Sequence, residues 1–153
     1  MVYVAQAFYS FLSVVGFSVL FNLPRRLIIA ASCSGMIGWL LYFFFQSIQS
    51  ANFILPAFAG SIAVGLVGEI LAAVKKHPAT LFTIPGIIPF VPGYGIYYTM
   101  LHIVEKDFDS ALTTGAESLF IAISIACGIV LATSFVRIIR PNLDKWLIKI
   151  LGH

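Results

Sequence analysis

The chain has 153 residues, 60% of them hydrophobic and 10% charged, with a mean hydropathy of +1.01. A soluble domain carries about 25% charged residues because its surface faces water, so this composition excludes a water-soluble globule and specifies a surface that faces lipid. The net charge of +3 does not point to nucleic acid, because the basic residues sit at the ends of apolar stretches, where they orient a membrane protein.

A helix needs about 20 apolar residues to cross the hydrocarbon core. Five stretches qualify, over about 2–21, 27–45, 53–74, 81–101 and 118–136. The first has no positive n-region and no Ala-x-Ala-like site, and Arg25 and Arg26 follow it, which predicts a retained span rather than a cleaved signal. The Gln46–Asn52 linker after the second span is uncharged, and the segment before the fifth holds Glu105, Asp107 and Asp109 with Lys106. Five crossings then place eight of the nine Lys and Arg residues on one side. That side is expected to be cytoplasmic, with the N-terminus out and the C-terminus in. Beyond Pro141, Leu143, Trp146, Leu147, Ile150 and Leu151 recur at helical spacing among Asp144, Lys145 and Lys149. This predicts a short helix over about 142–151 in the headgroup region, or one that docks a partner. The expected fold is all-α: a polytopic membrane helix bundle of about five spans forming a single transmembrane domain over residues 1–153, plus that interfacial helix.

Spans pack in lipid through small residues that let backbones approach. Ala30, Ser34 and Gly38 form such a stripe in the second span; Ala57, Ser61 and Gly65 form one in the third, with Gly60 and Gly68 beside it. Ser124, Gly128 and Ala132 form one in the fifth. Cys33 and Cys127 lack metal or redox spacing and are expected to be packing residues.

The fourth span carries Pro85, Gly86, Pro89, Pro92 and Gly93, with Gly95 just after. Each internal proline removes a helix hydrogen bond, so the span is predicted to be broken. Irregular backbone at membrane depth is tolerated where protein buries it or a wet cavity receives it. A half-helix restarting near Gly95 would aim its free amides at an anionic substrate group, with Tyr94, Tyr97 and Tyr98 supplying hydroxyls. These residues are the candidate substrate site. Glu69 lies well inside a span, on the stripe of Gly65, and an ionisable group there is a candidate proton-coupling residue, although Lys75 is near enough for a purely interfacial role. Glu117, near the outer start of the fifth span, is a second candidate, with Asp109 or Ser110 expected to cap that helix. HExxH, GxSxG, P-loop and GxGxxG sequences are absent, and His77, His102 and His153 lack ligand spacing. Neither an enzyme, a metal site nor a cofactor is expected.

The stretch GEILAAVKKHPATLFTIPGIIPFVPGYGIYYTM, residues 68–100, resembles the threonine/serine exporter family, specifically its small (YjjB-like) subunit. Pro85, Gly86, Pro89, Pro92 and Gly93 match the family motif and Glu69 its preceding acid, while Phe90 stands where the family pattern has Leu. The resemblance implies a two-part exporter in the bacterial plasma (inner) membrane. A larger exporter subunit of the same family would be the partner, threonine, serine or succinate the substrate, and the proton motive force the energy source. Five spans also suit one half of a ten-span pseudo-symmetric carrier. A homo-oligomeric channel constricted at the Pro/Gly segment and a non-transporting scaffold subunit are the competing readings.

Overall fold

A computed structural model describes residues 2–48 and 53–151, with side chains over 2–48 and 53–139. The helices are α1 (Val2–Leu20), α2 (Arg25–Ile48), α3 (Ile54–Lys75), α4 (Thr80–Ile87), α5 (Gly93–Val104) and α6 (Phe108–Leu151), with a 3-10 turn at Ile88–Phe90 between α4 and α5. No strand occurs among the described residues. Four helices are long and apolar enough to cross a membrane, or five if α4 and α5, bent by 56°, are one broken span.

The small-residue stripes form the seams. A Cβ added at Gly60 would stand 3.0 Å from the Gly38 carbonyl oxygen and 3.2 Å from the Tyr42 Cβ, and the Ser34 hydroxyl donates to the Val64 carbonyl at 3.4 Å. These contacts make α2 and α3 antiparallel. On the other side of α3, Gly65 faces Ala132, Gly128 faces the Ser61 hydroxyl, and the Ser124 hydroxyl donates to the Ile54 carbonyl at 2.7 Å. Both numbers rise together along this seam, so α3 and α6 run parallel. Two parallel helices require the chain between them to return the length of the bundle. The α4–α5 pair makes that return, as a broken span would and a loop re-entering from one end would not.

The break follows from the prolines. Pro85 is accommodated inside α4, fully buried, and the Ile88 N–H still reaches the Pro85 carbonyl. Pro89 then opens the 3-10 turn. Val91 becomes extended (φ −63°, ψ 133°), and Pro92 (φ −75°, ψ 57°) is the residue before α5. Gly86 allows α4 to nest in the bundle, since a Cβ there would meet Val64 Cγ1 at 2.8 Å and the Gly35 nitrogen at 3.4 Å. By contrast α5 contains no buried residue and packs chiefly on α6.

The last helix departs from expectation at both ends. The helix carrying the fifth apolar stretch, expected to be capped by Asp109 or Ser110, starts slightly earlier at Phe108, because Asp107 is the cap; its Oδ1 accepts the Ser110 N–H at 3.2 Å. At the other end α6 continues through Pro141 to Leu151, in place of a separate helix over 142–151. One proline removes a single N–H bond, and a long helix survives that loss with a local adjustment. The side chains of the amphipathic pattern from Leu143 to Leu151 lie outside the described residues, as do residues 49–52 of the linker. The apolar part of α6, Phe108–Ile139, has 32 residues. At about 1.5 Å per residue it is ~48 Å long against a hydrocarbon core of ~30 Å. Because Ser124 sits level with the start of α3, the earlier turns of α6 stand beyond that start, and α5 packs along them.

Two measurements test this packing. Gly60→Leu should overpack the α2–α3 seam at a cost of about 1–3 kcal/mol or more and lower the Tm in detergent, whereas Gly16→Ala, where a Cβ meets nothing within 4 Å, should not lower it. Hydrogen bonds from the Ser110 hydroxyl and N–H hold the Asp107 carboxyl below its usual 3.8. Its capping contribution is therefore present above pH ~3.8 and fades as pH falls through the depressed value. The Tm gap between the wild type and Asp107→Ala should accordingly be open at neutral pH and closed in strong acid.

Candidate functional site

At the break the chain lines a cavity of about 300 Å³. One wall is the break itself, Pro89 to Gly95; α2 contributes Trp39 and Tyr42, and α6 contributes Thr114, Glu117 and Ser118. The aromatic wall is a stack: Trp39 lies 5.2 Å from Tyr42, and Tyr42 lies 5.9 Å from Phe90, with interplanar angles of 14° and 10°. The Trp39 indole N–H donates to Gln6 of α1 at 2.9 Å, which fixes the outer ring of the stack. Rings held in this way give a rigid apolar floor against which a small ligand can be oriented.

Polar groups converge on the other side. The Gly93 N–H is taken by the Val91 carbonyl at 2.7 Å and the Ile96 N–H by the Pro92 carbonyl at 3.0 Å. Tyr94 and Gly95 are the remaining first-turn amides of α5, without a protein acceptor among the described residues, and both residues line the cavity. Free amides and the partial positive charge of a helix N-terminus favour an anionic group. The start of α5 is brought there by Gly95, where a Cβ would collide with the Ser118 hydroxyl. Thr99 fastens the same contact by donating to the Gly95 carbonyl at 2.7 Å and lying 3.1 Å from the Thr114 hydroxyl. Glu117 is exposed and lines the same cavity, bringing an acid to it.

The sequence-predicted residues therefore separate. Pro89, Pro92, Gly93, Tyr94, Gly95 and Glu117 meet at one cavity. Pro85 and Gly86 lie inside the bundle as packing residues, and Tyr97 is exposed with its ring edge on Tyr98 at 5.4 Å. Glu69 sits elsewhere, on a second cavity of about 270 Å³ that it shares with His77 and Arg137. Trp39, Tyr42, Thr114 and Ser118 were missed. Three-residue spacing puts Trp39 and Tyr42 on one helix face, but nothing in the sequence says which helix that face meets.

Comparison with known proteins gives these features a family. Residues 6–135 match the family model described as "Threonine/Serine exporter, ThrE". The chain belongs to the threonine/serine exporter family. It is 30% identical over 116 residues to the protein named Threonine/serine exporter from Corynebacterium glutamicum. That alignment covers 74% of this chain and 23% of the relative, so this exporter-family chain spans about a quarter of the length of the curated protein it matches. No solved structure matches it.

Cysteine accessibility checks the cavity. In a background without Cys33 and Cys127, Tyr42→Cys and Glu117→Cys should react with a water-soluble thiol reagent in intact membranes, while Ala31→Cys, at a fully buried position, should stay protected.

Proposed function

We propose that this chain is the small membrane subunit of a secondary exporter, and that the cavity at the α4–α5 break receives the substrate. The substrates are small hydroxy-amino acids, threonine and serine, with dicarboxylates such as succinate as the second class. One observation carries the reading. Tyr94 and Gly95, whose amides have no protein acceptor among the described residues, and the acid Glu117 line one cavity of about 300 Å³, which thus offers donors to a substrate carboxylate and an acid to an ammonium. Thr114 and Ser118 line the same cavity and offer hydroxyl oxygens to a substrate hydroxyl. Threonine and serine thus use every polar group, whereas succinate leaves Glu117 facing a like charge.

Coupling to protons would use the two carboxylates on the spans, Glu69 and Glu117, since an exporter without a nucleotide site draws on an ion gradient. A larger subunit of the same family completes the transporter. This is supported by the quarter-length match to the relative and by α5, which has no buried residue. The loop charges support an orientation with the basic side, Arg25, Lys75 and Arg137, facing the cytoplasm of a bacterial cell.

Efflux from proteoliposomes holding this chain and its larger partner decides the matter. Labelled threonine should leave in response to a proton gradient, and Glu117→Gln should slow it at least about tenfold, the scale of one lost hydrogen bond to a charged group. Tyr97→Phe should stay near the wild-type rate. Undiminished efflux from Glu117→Gln would remove this cavity from the transport path.

A further inference from the structure

The second cavity lies at the opposite end of the bundle, where three elements converge. Gly65 faces Ala132 on the parallel α3–α6 seam. One turn further along, α3 presents Glu69, and α6 presents Thr133 and Arg137. The α3–α4 connection closes the third side with His77, Pro78 and Ala79, drawn in because Gly68 lets Thr83 approach, a Cβ there standing 2.5 Å from the Thr83 hydroxyl. Glu69 is half-buried, and Arg137 and His77 are exposed. The lining is mainly polar, unlike the lipid-facing grooves of this molecule.

Glu69 and Arg137 share this cavity without forming an ion pair within 4.0 Å; among the described residues the one such contact is His102 with Glu105. Opposite charges facing a common space without touching leave room for a guest carrying both signs. The Thr133 hydroxyl donates to the Val130 carbonyl at 3.1 Å, which leaves its oxygen an acceptor in a residue that lines the cavity.

We propose that this cavity is a second substrate site, selective for a small zwitterion, in which Arg137 holds the α-carboxylate and Glu69 the α-ammonium of an amino acid. The inference rests on the export reading and deepens it. The cavity stands at the end that carries Lys75, Lys76 and Arg137, the end expected to face the cytoplasm, so an exported amino acid meets it first. A guanidinium suits a carboxylate because its fork of N–H donors engages both oxygens. Glu69 gives the site its sign preference. It attracts an ammonium and opposes the second carboxylate of a dicarboxylate, so the site discriminates against succinate. The same carboxylate cannot hold an ammonium and a proton together, which makes the two mutually exclusive occupants.

The test is equilibrium binding of labelled L-threonine to this chain, purified together with its larger partner in lipid nanodiscs, with competition by L-threoninamide, 3-hydroxybutyrate and succinate. All three competitors should be at least about tenfold weaker than threonine, since each lacks or opposes one charge-assisted contact. Arg137→Gln should weaken threonine about tenfold and erase its advantage over L-threoninamide; Glu69→Gln should do the same for 3-hydroxybutyrate. The exchange Glu69→Arg with Arg137→Glu should bind more tightly than either single charge reversal, and unchanged melting temperatures exclude misfolding as the cause of weak binding. Threonine binding that ignores both residues but is lost in Glu117→Gln would overturn this site and leave the export reading standing. Succinate competing as well as threonine would overturn the zwitterion assignment. No threonine binding by any variant would overturn both.

Discussion

Everything in this bundle depends on what happens to peptide groups when prolines interrupt a helix at the depth of hydrocarbon. Lipid offers them no partner, so the chain must shelter the interruption with protein or leave it beside a polar space. Both solutions occur within ten residues. Around Pro85 the helix persists, sealed by Gly86 pressed against Gly35 and Val64. Around Pro92 the helix stops, and Tyr94 and Gly95, whose amides lack a protein acceptor among the described residues, line a cavity. Glycine pairing in α2 and α3 is what admits the first half deeply enough for the second to begin where it does.

The two cavities stand at different levels of the same scaffold. The parallel course of α3 and α6 fixes their relation, because it aligns one end of that seam with the break and the other with the α3–α4 connection. Between them run the serine and glycine contacts of the seam, Ser124 to Ile54 and Gly128 to Ser61. Such close backbone contacts are stiff, which suits them to a frame rather than to a moving part.

Much of the fold was legible in the chain. The small-residue stripes marked the seams, and the Pro/Gly run marked the break almost to the residue, because backbone chemistry acts locally. The end of α5 nearest the cavity was placed two residues late, since Gly93 tolerates the first helical position. The start of α6 was misjudged for a related reason: Asp107, Asp109 and Ser110 are all competent caps, and geometry chose the first. The helix also ran past Pro141, where a local rule predicted a stop and the remaining bonds of a long helix prevailed. Glu69 and Glu117 share one expected role, yet Glu117 lines the cavity at the break and Glu69 a different one beside the α3–α4 connection. Trp39 and Tyr42 were hidden because residues that meet only through folding leave no mark on sequence spacing.

The two pieces of the broken span are anchored unequally. Four residues of α4 are buried, Phe82, Thr83, Pro85 and Gly86, against none in α5. Free energies of local opening follow buried contact, so the joint at Val91 and Pro92 divides a firmly anchored post from an arm held chiefly on α6. The arm carries the two open amides and shares its Thr99 latch with α6. Any rearrangement that widens or narrows the mouth is therefore borne by α5, while the post keeps the opposite chamber closed to that motion.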